Sequence, residues 1–183
     1  MAIILNNTTK YDAQFTVLKG DQVVVSLPAV EPQGSVSIPT ENEYMVTAQA
    51  TIDGNTYTSA PLKVDGAARF QARVIQHRSQ QTYIFDLVKS ASTKPNKLQF
   101  EKTCLPTVIF TIVKDGKPLQ AISVSDSFLA QELTLSDTYT ISAVVKGITT
   151  DVTTTNNPNA KVTAIDATAS ADEGYFSLLL GQS

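Results

Sequence analysis

The chain has 183 residues, a formal net charge of −3, 17% charged residues, no tryptophan and a single cysteine, Cys104. Neutralising nucleic-acid phosphates takes a basic excess, so this balance excludes a general nucleic-acid binder. One cysteine excludes an intramolecular disulfide, no Cys/His spacing suits zinc, and any core must hold without such staples.

Taken in chain order, the opening "MAIILNNTTKYD" has a four-residue apolar stretch and no basic region, so it does not read as a secretory signal. No run approaches the roughly 18 apolar residues that cross a bilayer. The expected setting is a soluble chain made in the cytoplasm with no membrane partner, and association with a virion or other particle stays open. Asn6 and Asn7 each begin an Asn-x-Thr match, read as turn chemistry rather than glycan attachment.

Strand signals then follow almost without a break. "FTVLKGDQVVVSL" carries two β-rich runs around Lys-Gly-Asp, and "FTIVKDGKPLQAI" carries two around Lys-Asp-Gly, a hairpin signature. "SVSIP" and "QELTL" alternate apolar with polar. "YMVTAQATIDGNTYT" and "YTISAVVKGITTDVT" each read as a Tyr-led strand, a glycine turn and a Thr-rich return. "RFQARVIQ" and "KVTAIDA" come next, and "TYIFDLV" and "GYFSLLL" close the two halves. The best helical candidate, "DSFLAQEL", is short enough to be a loop or a single turn.

The halves match in order. Leu5 and Phe100, Thr8 and Thr103, Phe15 and Phe110, and Tyr44 and Tyr139 all lie 95 residues apart, and the offset drifts to 91 by Phe85 and Phe176. Constant spacing with slips in turns predicts an internal duplication. The polar stretch "KSASTKPNK" reads as an exposed linker between the copies. The expectation is therefore all-β: two tandem antiparallel β-sandwiches of immunoglobulin-like outline, at 1–88 and 97–183, joined by a linker at 89–96. Each would hold about seven strands at the roughly 8–12-residue spacing of sandwiches. A small Greek-key barrel is the structural alternative.

Catalytic constellations are hard to assemble. His77 is the only histidine, and it sits where a strand runs into a hairpin. Pairing it with Cys104 would draw on both expected domains, and Cys104 in "TCLPTVIF" reads as a small buried hydrophobe. The acids stand mostly alone beside turns, as Asp21, Asp53, Asp65, Asp115 and Asp151 do, so no paired carboxylates are legible. Neither a phosphate loop nor an EF-hand pattern occurs, and "TTTNNPNAKV" reads as an Asn-Pro turn rather than a calcium loop. No enzyme activity, catalytic residue, metal or cofactor is expected.

Two places distinguish the copies. Arg69, Arg73 and Arg78 are the only arginines, and Arg69, Arg73 and His77 share one face of a strand whose other face carries Phe70, Ala72 and Val74. The matching strand has Lys161, Thr163, Ile165 and Ala167 there. Arg69, Arg73, His77 and Arg78 are thus candidates for an anionic partner, or simply a soluble strand face guarded against edge pairing. The final strand, with Tyr175, Phe176, Leu178, Leu179 and Leu180, leaves little polar face; Tyr175, Phe176, Leu178 and Leu180 mark an oligomer or domain interface.

The expected function is that of a non-enzymatic structural or interaction protein, which self-assembles or decorates a larger particle such as a phage, virion or bacterial inclusion. The alternative is a lectin-like carbohydrate-binding module, with Tyr57 as the exposed aromatic platform.

Overall fold

The computed structural model of the protein describes residues 1–40, 43–77, 82–166 and 176–181. Among the described residues the chain is all-β, with no helix. The first four strands are β1 (Ala2–Asn7), β2 (Ala13–Lys19), β3 (Gln22–Val23) and β4 (Ser35–Pro39). They are followed by β5 (Tyr44–Ile52), β6 (Asn55–Thr58), β7 (Leu62–Val64), β8 (Ala68–His77) and β9 (Thr82–Ser90). Next come β10 (Lys97–Lys102), β11 (Val108–Lys114), β12 (Lys117–Val124) and β13 (Gln131–Thr134). The last are β14 (Tyr139–Val145), β15 (Ile148–Thr149), β16 (Thr153–Thr155), β17 (Lys161–Asp166) and β18 (Phe176–Gly181).

These strands form two compact units that are not the expected 1–88 and 97–183 halves. Unit 1 is Met1–Asn42 together with Ser136–Ser183, and unit 2 is Glu43–Leu135. Unit 1 thus joins the opening of the first sequence half to the close of the second, and unit 2 joins the remaining two pieces. The stretch 89–96 is no inter-domain linker. It is the end of β9 and the loop that follows, inside unit 2, where the Gln99 side chain accepts from Thr93 N at 2.9 Å.

Each unit has two sheets with the same strand order. In unit 1 they run β18-β17-β1-β4 and β15-β14-β2-β3, with β16 also on β14. In unit 2 they run β9-β8-β10-β13 and β6-β5-β11-β12, with β7 also on β5. Two sheets enclosing one core make a sandwich, but not a purely antiparallel one. β1 pairs with β17 in parallel, Leu5 opposite Val162, and β10 pairs with β8 in parallel, Phe100 opposite Phe70. Neither sheet order reproduces the ABED and CFG sheets of an immunoglobulin constant domain. The physical reason is that every parallel pair joins strands from different sequence halves, and parallel neighbours need long crossovers rather than hairpins.

Period-two burial builds both cores. In unit 2 the rings of Phe70 and Phe100 stack at 5.7 Å and Phe100 meets Phe110 at 5.2 Å, all fully buried. Burying each ring contributes about 2–3 kcal/mol. In unit 1 the same places hold Val162, Leu5 and Phe15, with Ile141 and Val17 filling the space between sheets. The Asp115-Gly116 turn between β11 and β12 has φ of 52° and 76°, the doubly positive geometry that the Lys-Asp-Gly signature predicts. A buried hydroxyl repeats in both units. Ala48 N donates to Ser59 Oγ at 2.8 Å, and Ala143 N donates to Thr150 Oγ1 at 3.0 Å, which satisfies a buried strand donor where the neighbouring strand breaks off. "DSFLAQEL" forms no helix: residues 125–130 are a loop, and β13 begins at Gln131.

Candidate functional site

Three surfaces stand out. The first is the outer face of sheet β9-β8-β10-β13, where Arg69 and Arg73 point away from the core as their alternation with Phe70 and Ala72 requires. Arg69 Nε donates to Ser90 Oγ at 3.1 Å and lies 3.3 Å from Glu101 Oε1. Arg73 Nη2 donates to Asp86 Oδ2 at 3.2 Å. Further along, Lys94 pairs with Glu132 at 3.0 Å, and Gln99 donates to the same carboxylate. Hydrogen bonds from Gln99 and Lys94 hold the Glu132 carboxyl below its ordinary range. The carboxylates that answer Arg69 and Arg73 come from adjacent strands, β10 and β9, so this face is internally charge-paired. Each such exposed pair is worth about 0–1 kcal/mol. The His77 side chain and Arg78 lie outside the described residues.

The second surface is β18. Phe176 is buried and Leu178 packs on the unit 1 core, whereas Leu179 is 58% and Leu180 43% exposed. Tyr175 lies outside the described residues. Among the described residues β18 pairs only with β17, which makes it a sheet edge. Other edges carry devices against strand addition: Pro39 on β4, Asp86 and Lys89 on β9, Glu132 on β13, and Lys117, Pro118 and a register shift on β12. β3, β15 and β16 are two or three residues long. The sequence of β18, FSLLLG, has no charge and no proline.

The third surface was not legible as a site. Lys102 ends β10 with its side chain buried, and its Nζ donates to Cys104 O (2.7 Å), Leu105 O (3.1 Å) and Ser127 Oγ (3.1 Å). All three ammonium donors are used. Ser127 Oγ donates to Cys104 O at 3.1 Å, and Phe128 N donates to Asp126 Oδ1 at 2.8 Å. This lattice ties the loop after β10 to the loop before β13, and the tied loops carry Leu105 and Phe128, each 95% exposed, and Leu129, 62% exposed. Burial pushes the Cys104 thiol up, with nearby Lys102 opposing it. Beside the tip lies a shallow open depression of about 370 Å³ lined by Gln49, Ala50, Thr51, Pro106, Thr107 and Ile109. The sequence signal for the tip was an apolar residue before Pro106 and an apolar pair set among Ser and Asp, both of which read equally well as core.

Tyr57 is half-buried and meets Tyr83 edge-on at 6.4 Å, so its ring is not an open stacking platform. In the loop around Asn157 the amide oxygens are engaged: Asn157 Oδ1 accepts from Asn159 N at 2.9 Å, Asn156 Oδ1 from Thr138 Oγ1 at 2.7 Å and Asn159 Oδ1 from Ala2 N at 3.3 Å. Among the described residues no group of three or more His, Cys, Asp or Glu is placed to hold a metal ion, and no helix is long and apolar enough to cross a membrane. No protein-family profile, curated protein or solved structure matches the chain.

Proposed function

We propose that the chain is an internally duplicated, non-enzymatic β-sandwich protein that self-associates and acts as a building block or decoration of a larger particle. The observation that carries this reading is β18, a six-residue uncharged edge strand with two exposed leucines. Such an edge is a template for pairing with a second chain. Duplication is supported by the shared strand order of the two units and by paired details such as Ser59 with Thr150. Size-exclusion chromatography with light scattering tests the reading. The wild-type chain is expected to be oligomeric and Leu179→Lys monomeric, with little change in melting temperature because residue 179 is exposed. A wild-type chain that stays monomeric at high concentration would count against it.

A lectin-like reading rests on the depression, whose Gln49, Thr51 and Thr107 offer neutral hydrogen-bonding groups beside Ile109 and Pro106. Glycan-array binding that Gln49→Ala abolishes would support it; an array without hits would sink it.

A further inference from the structure

The same end of the two sandwiches is built alike and surfaced differently. In unit 1 the loop before β4 has Val30 buried and Val25 and Leu27 packed on the core, while Tyr11, after β1, is 40% exposed. Tyr11 lies 4.6 Å beneath Lys146 Nζ and edge-on to Phe176. In unit 2 the corresponding loops turn Leu105 and Phe128 fully outward. The fold therefore does not require this exposure.

We infer that this tip of unit 2 seats in the interfacial layer of a lipid bilayer of zwitterionic, phosphatidylcholine-type headgroups. The three exposed side chains of the tip offer on the order of 500 Å². That is less than the roughly 800 Å² per partner of a stable protein interface. A bilayer interface needs no matching pocket. Hydrogen-bonded backbone groups lower the cost of leaving water, and here the carbonyls of Cys104 and Leu105 accept from Lys102 while Phe128 N donates to Asp126. Charge selects the lipid class. In 103–107 and 125–130 the only charged residue is Asp126, so nothing on the loops attracts anionic headgroups. The adjoining depression presents Gln49, Thr51 and Thr107, neutral groups that suit headgroup hydrogen bonds. Interfacial seating needs no membrane-spanning segment. Binding is reversible, at or below the roughly 10⁴ M⁻¹ of one myristoyl chain. The inference does not rest on β18.

The chain has no tryptophan, so Phe128→Trp in the full-length protein gives a single reporter. With phosphatidylcholine vesicles its emission is expected to shift to the blue and to be quenched by brominated lipid. Leu105→Ser/Phe128→Ser is expected to melt like wild type and to lose vesicle co-sedimentation at least about ten-fold. Unshifted emission with vesicles would overturn the inference. So would a shift that appears on raising protein concentration without lipid, which would mean a second copy covers the tip. Binding confined to phosphatidylglycerol vesicles and abolished by salt would overturn it equally.

Discussion

Asn7 and Lys102 stand at the same place in two sandwiches and meet one need with different chemistry. Each ends a central strand, is buried, and ties down the loop that follows. Asn7 Nδ2 donates to Tyr11 O at 2.7 Å and to Val30 O at 2.8 Å, and its Oδ1 accepts from Thr9 N at 3.0 Å. Lys102 uses three ammonium donors for the same purpose. Removing one side of a buried hydrogen-bonded cluster costs more than the bonds contribute net. Lys102→Met, which keeps the volume but deletes every donor, is expected to lower unfolding free energy by about 2–4 kcal/mol in urea titration. A change within about 0.5 kcal/mol would show that water replaces the ammonium. The turn role of Asn7 was legible because Asn before Thr is turn chemistry. The role of Lys102 was not, since a lysine beside a turn reads as solvated surface and only the fold reveals that its stem points inward.

Two carboxyls of unit 2 are held by separate partners, Asp65 just after β7 and Glu132 on the outer face of sheet β9-β8-β10-β13. A hydrogen bond and charge from Lys89 hold the Asp65 carboxyl below its ordinary range, and Gln99 and Lys94 do so for Glu132. A carboxyl depressed in the folded state contributes stability that is present above its unfolded pKa and lost as pH falls through its folded pKa. Stability of unit 2 is therefore expected to hold down to about pH 4, the ordinary carboxylate range, and to decline below it. Glu132→Gln should flatten that decline in melting curves from pH 5 to 2, and an unchanged slope would remove Glu132 from the account. At this scale the strands and the Asp115-Gly116 hairpin were readable, because period-two burial and turn residues are local. The parallel pairs were not. β1 alternates in the same phase whether it lies beside β8 or β17, so a duplicated pattern leaves the choice of partner undetermined.

The two units differ in how the chain supplies them. Unit 2 is one unbroken stretch, Glu43–Leu135, with both sheets and its own core. Expressed alone, it is expected to give a cooperative melt and a dispersed amide NMR spectrum, whereas residues 1–88 should give no folded monomer. The reverse result would restore the tandem arrangement that the repeat suggested. Unit 1 is interrupted by all of unit 2, and this sets a clock on synthesis. At roughly 5–20 residues per second, β1 to β4 wait several seconds for β14 and β17 to leave the ribosome. Until then Leu5, Phe15 and Val17 have only half of their core beside them. That interval exposes unpaired strands in every newly made chain, and slowed translation between residues 43 and 135 would lengthen it.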